Sequence, residues 1–224
     1  MKENAIYYHI EQLLSKEQLA GIEQLQTQAN YLDGKLTASN AAKEVKHNLQ
    51  MDMQNQSYMQ IQQMLLTALN QHPLFKGATL IKNIYPFLMS KYEEGMEYGW
   101  HVDSPLMGDM MRTDIALTIF LNNPSDYEGG ELELQTPLGS QLYKLNAGDA
   151  ICYPCQQLHR VRAITKGVRK VAVTWIQSLV KNSEQRKILF DMQQVINHLQ
   201  TQKETEAANS LQQTHSNLLR MWAE

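Results

Sequence analysis

The sequence predicts an α+β protein in which a sandwich or jelly roll of short strands lies between helical segments. The middle of the chain alternates short apolar runs with Gly, Pro and Asn at turn positions, which is typical of such all-β units. The flanking segments repeat apolar residues every three or four positions, as amphipathic helices do. A chain of 224 residues can hold one large domain with helical additions. We divide it into an N-terminal helical region (1–77), a jelly-roll domain (78–180) and a C-terminal helical extension (181–224).

Two helices are expected in the N-terminal region. Ser15 and Gln18 form a capping-box pattern ahead of apolar residues at helical spacing. The apolar pattern predicts a second helix over 57–71, ending before Pro73 because proline restricts the residue that precedes it. The polar segment 33–50 has no clear period and is predicted to be a loop with some helix.

Short β-type runs fill the central region. The predicted strands are 79–84, 87–93, 113–121, 131–135, 141–145, 149–153, 159–164 and 170–177. The pair Gly129 and Gly130 is predicted to form a hairpin turn.

Two amphipathic helices are predicted at the C-terminal end. Ser183 is the candidate N-cap of the first, and a polar linker over 201–208 leads to the second. These helices are expected to pack on the sheet or to form the interface of a homodimer.

Composition excludes several classes of function. The formal net charge is −3 and no run of Lys or Arg occurs, so neither nucleic acid nor an anionic membrane surface is expected as a partner. No apolar stretch approaches the length of a membrane span. The stretch from Met1 to Ile10 lacks a basic start followed by a long apolar run, so no export signal is expected. Together these observations predict a cytoplasmic protein.

The two cysteines, Cys152 and Cys155, form a C-x-x-C motif. Redox motifs of this kind begin a helix, whose dipole lowers the thiol pKa, whereas this one enters a predicted strand. A zinc site would need a second Cys or His pair at suitable spacing, which the sequence lacks. We interpret the cysteines as small, partly buried residues beside the candidate site.

Two histidines and one aspartate form the candidate metal site. His101 and Asp103 are two residues apart, so in an extended segment their side chains project to the same side. His159 lies in a later predicted strand. Two imidazoles and one carboxylate can hold one face of an octahedral metal and leave the other face open, which is the ligand set of non-haem Fe(II) oxygenases. The sequence therefore predicts Fe(II) at these three residues.

Arg169 is the candidate anchor for a dicarboxylate co-substrate. It lies ten residues after His159, and its planar guanidinium can form two parallel hydrogen bonds with a carboxylate. Alternation along the predicted strand places it on the same inward side as Val171 and Val173, with Lys170 facing outward.

An ordered series of motifs carries a family resemblance. The motifs are Tyr92 to Asp103, Arg112 to Asp114, Phe120 to Asn122, Glu128 to Leu132, Ala147 to Asp149, His159 and Arg169. In this order they resemble the prolyl/lysyl-hydroxylase-like Fe(II)/2-oxoglutarate dioxygenases, and more narrowly the bacterial PKHD-type hydroxylases, a group that includes a protein associated with iron uptake. The resemblance runs nearly end to end. It implies a double-stranded β-helix core, Fe(II), 2-oxoglutarate, O2 and L-ascorbate, and hydroxylation of a C–H bond with decarboxylation of 2-oxoglutarate to succinate.

The resemblance also assigns roles to aromatic residues. Tyr92 matches a tyrosine that contacts the 2-oxoglutarate carboxylate in related hydroxylases. Trp175 matches a tryptophan near the co-substrate, and Tyr98 matches a tyrosine of the pocket. Aromatic side chains usually pack in the hydrophobic core, so a packing role is the competing interpretation for all three residues.

Three further residues are candidates for substrate binding. Arg112 can bind substrate, although a buried ion pair with Asp114 is the competing account. Lys46 and Asn48, in the polar segment 33–50, are candidates for a lid at the entrance.

The substrate itself stays open, because fold does not fix substrate. A protein side chain, a free amino acid and an iron-chelating metabolite all fit a small-molecule or peptidyl substrate. Two other classes compete with the oxygenase: a cupin-like metal or ligand-binding protein without oxygenase activity, and a scaffold that retains a decayed site. Arg169 and Tyr92 disfavour the first, because a pure binding protein needs no residues for a dicarboxylate, and the intact ligand set disfavours the second.

Overall fold

The computed structural model describes residues 7–38 and 40–224, with the side chains of Asn40 and Ala41 left aside. Residues 1–6, within the stretch used to argue against export, and Ser39, within the segment 33–50, lie outside the described residues. The helices are α1 (Lys16–Thr27), α2 (Asn40–Glu44), α3 (Gln56–Gln71), α4 (Pro73–Thr79), α5 (Ser183–Thr201) and α6 (Thr205–Trp222). The strands are β1 (Tyr8–Ile10), β2 (Tyr31–Asp33), β3 (Lys46–His47), β4 (Leu49–Met51), β5 (Ile81–Ile84), β6 (Leu88–Tyr92), β7 (Glu97–His101), β8 (Leu106–Met107), β9 (Met111–Arg112), β10 (Ile115–Phe120), β11 (Tyr127–Gly129), β12 (Leu132–Thr136), β13 (Gly139–Tyr143), β14 (Ala150–Pro154), β15 (His159–Val161), β16 (Ile164–Gly167) and β17 (Arg169–Ser178).

Two antiparallel sheets form the jelly-roll core. The major sheet has the order β1-β14-β10-β17-β6-β4-β2, with β5 also paired to β17, and the minor sheet has the order β13-β12-β15-β7-β3. The pairs β11–β16 and β8–β9 stand apart from both sheets. The α+β class and the jelly-roll core predicted from the sequence are confirmed, and each of the eight predicted strands overlaps an observed one.

The major sheet is covered on both faces. Along β10, Ile115, Leu117 and Ile119 belong to the cluster that includes apolar residues of α1, α3 and α4. The intervening Ala116 and Phe120 belong to the cluster between the two sheets. This alternation follows the period of two residues in a strand. The cluster between the sheets is the one that surrounds the candidate site.

The N-terminal region contributes strands as well as the predicted helices. β1 pairs with β14, β2 and β4 extend the major sheet, and β3 joins the minor sheet. The prediction of a loop over 33–50 is therefore wrong in part. These strands are two or three residues long, too short to show an alternating pattern in the sequence. The boundaries proposed at 77/78 and 180/181 stay a prediction.

Helix ends follow the sequence signals closely. The predicted capping box is confirmed: Ser15 Oγ accepts from the Gln18 amide at 3.2 Å, and the Gln18 side chain accepts from the Ser15 amide at 2.8 Å. Asn182, rather than the predicted Ser183, caps α5, since its side chain accepts from two amides of the first turn.

Within the described part of the chain, no helix is both long and apolar enough to cross a membrane.

Gly129 and Gly130 do not form the predicted hairpin turn. They lead from β11, which pairs with β16, to β12, which lies in the minor sheet. Both have positive φ, and a Cβ on Gly130 would lie 2.3 Å from Ile164 Cδ1 and 3.1 Å from Arg169 Cδ. Glycine is needed here because the chain passes close to the stem of Arg169.

Candidate metal and co-substrate site

The two candidate histidine ligands are direct cross-strand neighbours. His101 ends β7 and His159 begins β15, and the two are paired in register. Their ring centroids lie 4.2 Å apart. Residues opposite each other on antiparallel strands project to the same face, so both rings point into the space between the sheets.

Each histidine ring is oriented by a backbone carbonyl. His101 Nδ1 lies 2.8 Å from the Gly99 carbonyl, and His159 Nδ1 lies 2.8 Å from the Gln157 carbonyl. A carbonyl can only accept, so each Nδ1 carries the proton and each Nε2 keeps its lone pair. Burial, and then the neighbouring His159, lowers the pKa of His101 to about 3. The His101 ring is thus neutral at physiological pH, as a metal ligand must be.

Asp103 completes a compact group of three. Its side chain is 7% exposed, and Oδ1 lies 3.9 Å from His159 Nε2. Its Oδ2 is buried without a hydrogen-bond partner among the described residues. Burial raises the pKa of Asp103, although the neighbouring His159 and then the indole of Trp175 lower it in part. The potential ligand atoms of the three residues all lie within 4.8 Å of one another, close enough to hold one metal ion.

Arg169 is a buried cation whose guanidinium is not satisfied by the protein. It begins β17 opposite Tyr92 and is 1% exposed. Its Nε and Nη1 have no hydrogen-bond partner among the described residues. The guanidinium lies over the rings of Tyr92 and Phe120, at 5.2 and 5.5 Å from their centroids. A guanidinium with free donors in an apolar, aromatic setting is suited to a carboxylate ligand.

The backbone around Arg169 is held by Asn122. The Asn122 side chain donates to the Val168 carbonyl and accepts from the Lys170 amide, each at 2.8 Å. These bonds bracket Arg169 on both sides. Arg169 and Val173 line the cavity together with Trp175, and Val171 packs in the cluster between the sheets, so alternation predicted the inward side of this strand.

A cavity of about 180 Å³ connects the three-residue group with Arg169. Of the remaining predicted residues, Tyr92, Tyr98, Trp175, Lys46 and Asn48 also line it. The sequence did not single out the other polar lining residues, namely Thr37, Gln50, Ser90, Ser104, Thr118 and Tyr153. Gln50 could have been found, because it follows Lys46 and Asn48 at the same two-residue spacing.

Comparison with known proteins agrees with this geometry. The family model of the 2OG-Fe(II) oxygenase superfamily matches residues 87–177, and that of the PKHD-type hydroxylase C-terminal domain matches residues 184–224. A PKHD-type hydroxylase of Acaryochloris marina is 43% identical over 216 residues, covering 96% of this chain and 98% of that protein. One from Colwellia psychrerythraea is 44% identical over 218 residues, with 95% and 96% covered. The chain belongs to the PKHD-type hydroxylases.

Solved structures place the fold of this PKHD-type hydroxylase among the 2-oxoglutarate oxygenases. A prolyl hydroxylase from Trichoplax adhaerens, in complex with a peptide fragment of hypoxia inducible factor, has a TM-score of 0.60 at 14% identity, covering 83% of this chain and 87% of that one. A Pseudomonas putida prolyl-4-hydroxylase has a TM-score of 0.53 at 17% identity, with 78% and 94% covered. The hydroxylase is thus an Fe(II)/2-oxoglutarate-dependent dioxygenase, whose family uses Fe(II), 2-oxoglutarate and O2.

Arg112 lies apart from the cavity of the hydroxylase. Its guanidinium pairs with Asp114 at 2.8 and 3.0 Å and with Glu224 at 2.9 Å, and it also donates to the Ser178 carbonyl. The structure does not bring Arg112 together with the other candidate residues. It supports the competing account of an ion pair with Asp114, in which the Asp114 side chain is buried and that of Arg112 is 23% exposed.

The two cysteines of the hydroxylase are buried and unpaired. Burial raises the pKa of both thiols, Cys152 on β14 and Cys155 just after it. A raised pKa disfavours the thiolate that redox chemistry requires. This observation supports the interpretation of the motif as packing residues.

Proposed function

We propose that this PKHD-type hydroxylase holds Fe(II) through His101, Asp103 and His159 and hydroxylates a C–H bond of a small-molecule or peptidyl substrate. The observation that carries the proposal is that the potential ligand atoms of these three residues lie within 4.8 Å of one another. Each imidazole Nδ1 contacts a backbone carbonyl, which leaves each Nε2 free to bind a metal, and Asp103 Oδ2 is buried without a hydrogen-bond partner among the described residues. A divalent cation would bind all three side chains, and this donor set suits non-haem iron.

Arg169 would bind the distal carboxylate of 2-oxoglutarate. Its free Nε and Nη1 and its aromatic surroundings support this role. Burial raises the pKa of Tyr127, although the nearby Arg169 lowers it in part, and the Tyr127 hydroxyl has no hydrogen-bond partner among the described residues. A carboxylate between Arg169 and Tyr127 would satisfy both groups. Tyr92 and Trp175, which line the same wall, would complete the co-substrate site.

The protein's own residues position the reactants and exclude water. When bound, Fe(II) with 2-oxoglutarate and O2 supplies the oxidising power, with succinate as the product of the co-substrate. The two carbonyl contacts at Nδ1 fix the histidine rings, and the aromatic wall keeps water from Arg169, which strengthens its pairing with a carboxylate. Burial raises the pKa of Asp103, and a bound cation would favour its carboxylate form, which is the form that binds a metal.

A cupin-like binding protein without oxygenase activity is the alternative class. Such a protein has no use for a buried guanidinium with free donors, because the cost of burying Arg169 is offset only if a carboxylate binds there. A scaffold with a decayed site would likewise not keep all three metal-binding side chains in reach of one ion.

The test is metal and co-substrate binding by matched histidine variants. His159→Ala should lose iron, the absorbance of the anaerobic iron–2-oxoglutarate complex, and succinate release. The control is His198→Ala, an exposed histidine on α5 outside the cavity, which should keep all three. Full iron content and activity in His159→Ala would refute the assignment.

Several further expectations accompany this proposal. L-ascorbate is expected to sustain turnover, and comparing succinate release with and without it would show this. A homodimer through α5 and α6, a cytoplasmic location and a link to iron uptake stay predictions from the sequence and the resemblance.

A further inference from the structure

One wall of the cavity is built from polar residues at alternating positions. Lys46 lies in β3, Asn48 lies between β3 and β4, and Gln50 lies in β4. All three are buried and line the cavity. Their spacing of two residues puts their side chains on the same side of an extended segment. Neither the three candidate metal ligands nor Arg169 belongs to this wall.

Lys46 is a buried cation without a counter-ion. It is 4% exposed, and among the described residues its Nζ forms no ion pair; it donates to Thr37 Oγ1 at 2.9 Å. Lysine is almost never fully buried unless it is paired. Burial lowers the pKa of Lys46 to about 8, so the amine is still mainly charged at neutral pH. An unpaired ammonium that faces a cavity indicates a missing anionic partner.

Asn48 adds a second unsatisfied group to the same wall. It is 3% exposed, and among the described residues neither its Nδ2 nor its Oδ1 has a hydrogen-bond partner. The Asn48 amide can therefore donate to a ligand beside Lys46.

The charges around the cavity indicate that Lys46 lacks a negatively charged partner. Apart from its two histidines, the charged side chains of the cavity lining are Lys46, Asp103 and Arg169. In the proposed complex, a divalent iron and Arg169 together balance Asp103 and a doubly charged 2-oxoglutarate. Lys46 is then left with one uncompensated positive charge in a poorly solvated space.

The two cations come from opposite walls. Arg169 lies on β17 of the major sheet, whereas Lys46 lies on β3 of the minor sheet. The Lys46 ammonium is 5.3 Å from the centroid of the Tyr98 ring, which in turn stacks on His101 with centroids 3.6 Å apart. Lys46 is thus on the side of the candidate metal ligand His101, and Arg169 is among Tyr92, Phe120 and Tyr127. Two anionic ligands can therefore be held at the same time.

We infer that Lys46, with the Asn48 amide, forms a subsite for a carboxylate of the substrate. This inference rests on the proposed function, because it assumes that Arg169 already holds the co-substrate. It narrows the substrate to a carboxylate-bearing compound, whose acid group binds near His101 and so presents a neighbouring C–H bond toward the metal. The carboxylate can be that of a free amino acid or of an acidic side chain in a peptide.

The test compares acids with their amides on the anaerobic enzyme saturated with Fe(II) and 2-oxoglutarate. The probes are free amino acids paired with their carboxamides, and capped peptides that contain Asp or Glu paired with the same peptides containing Asn or Gln. Binding is read from the change in absorbance of the iron–2-oxoglutarate complex, and in air from stimulated succinate release. A preference for a free amino acid over its carboxamide would identify a free acid as the substrate class. A preference for the Asp- or Glu-containing peptide would identify an acidic peptide.

Three variants make the comparison specific. Lys46→Met removes the charge at similar length, Lys46→Arg keeps the charge, and Lys43→Met removes an exposed lysine of α2 nearby. At least one acid should bind wild type about tenfold or more tightly than its amide. The preference should vanish in Lys46→Met and persist in the other two.

Failure of this inference is distinguishable from failure of the proposed function. Wild type, Lys46→Met and Lys43→Met should bind Fe(II) and 2-oxoglutarate within about twofold of one another, which also shows that the variants are folded. A panel in which no acid is preferred over its amide, or a preference that survives in Lys46→Met, would overturn the carboxylate subsite. Weakening of 2-oxoglutarate itself in Lys46→Met would overturn it as well, since Lys46 would then belong to the co-substrate site. Loss of co-substrate binding in wild type would instead refute the proposed function.

Discussion

Arg169 and Arg186 are both buried cations, but the protein treats them in opposite ways. Arg186, on α5, is 5% exposed, and its Nη1 donates to the Val180 and Lys181 carbonyls at 2.8 Å each. Arg169 is 1% exposed and leaves Nε and Nη1 without partners. One guanidinium is satisfied by backbone carbonyls, and the other faces a cavity with free donors.

The difference separates structure from function. An unsatisfied buried polar group costs about 1–3 kcal/mol, and more when it is charged. At Arg169 this cost is offset only when a ligand binds. At Arg186 the hydrogen bonds to backbone carbonyls offset the cost of burial within the fold itself. Burial alone would not distinguish the two residues, because only the state of their hydrogen-bond donors differs.

Arg169→Met should produce the largest effect on binding. Removal of a charge-assisted pair in a buried site is expected to raise the Kd for 2-oxoglutarate by about a hundredfold or more. The free energy of unfolding of the ligand-free protein should stay level or rise, because an unsatisfied buried charge is replaced by an apolar side chain. Anaerobic titration and denaturant unfolding measure the two quantities.

Iron binding serves as the control for Arg169→Met. The variant should keep its iron, since Arg169 is not among the three residues that cluster around the candidate metal position. If Arg169→Met lost much stability but kept its affinity for 2-oxoglutarate, Arg169 would have the structural role that we assign to Arg186.

Arg186→Met should show the opposite pattern. Val180 is fully buried, and its carbonyl would lose the hydrogen bond from the Arg186 guanidinium. The free energy of unfolding should therefore fall by about 1–3 kcal/mol. The Kd for 2-oxoglutarate should stay within about twofold of wild type, because Arg186 does not line the cavity. Saturating 2-oxoglutarate, at about a hundred times its Kd, should still stabilise this variant by about 2.7 kcal/mol. Absence of that stabilisation would mean that α5 influences the site.

Local patterns account for what the sequence predicted about this site. His101 and Asp103 are two residues apart, and Arg169 shares the inward face of one long strand with Val173, so spacing and alternation were sufficient. Lys46 was named only as part of a polar segment without a clear period, because its strand has two residues and exists only by pairing with β7. The same limit applies elsewhere. An ion pair of Arg112 with Asp114 was the alternative to substrate binding, but no local pattern could show the contact of Arg112 with Glu224, which is distant along the chain.

Glu133 extends the comparison to a buried anion that is fully paired. Its Oε2 accepts from Arg162 Nε at 2.7 Å and from Arg160 Nε at 2.8 Å. Glu133 lies on β12, next to β15, which carries His159. Arg162, with a further contribution from Arg160, lowers the pKa of Glu133 to about 2, from 4.5 in an unfolded chain. Glu133 therefore resembles Arg186 rather than Arg169, and a structural role is expected.

Glu133→Gln should have the smallest effect of the three variants. It keeps an acceptor but removes the charge, and the arginine side chains are partly exposed, so about 1 kcal/mol of stability should be lost at pH 7. A lowered pKa means that the wild-type charge stabilises the fold fully above pH 4.5 and progressively less as the pH falls toward 2. The stability curves of wild type and variant should therefore converge over that interval, while iron content at pH 7 stays unchanged. Parallel curves through the acid range would mean that the two arginines do not stabilise the charged form of Glu133. Loss of iron from the variant would mean that the ion pairs of Glu133 are needed to position His159.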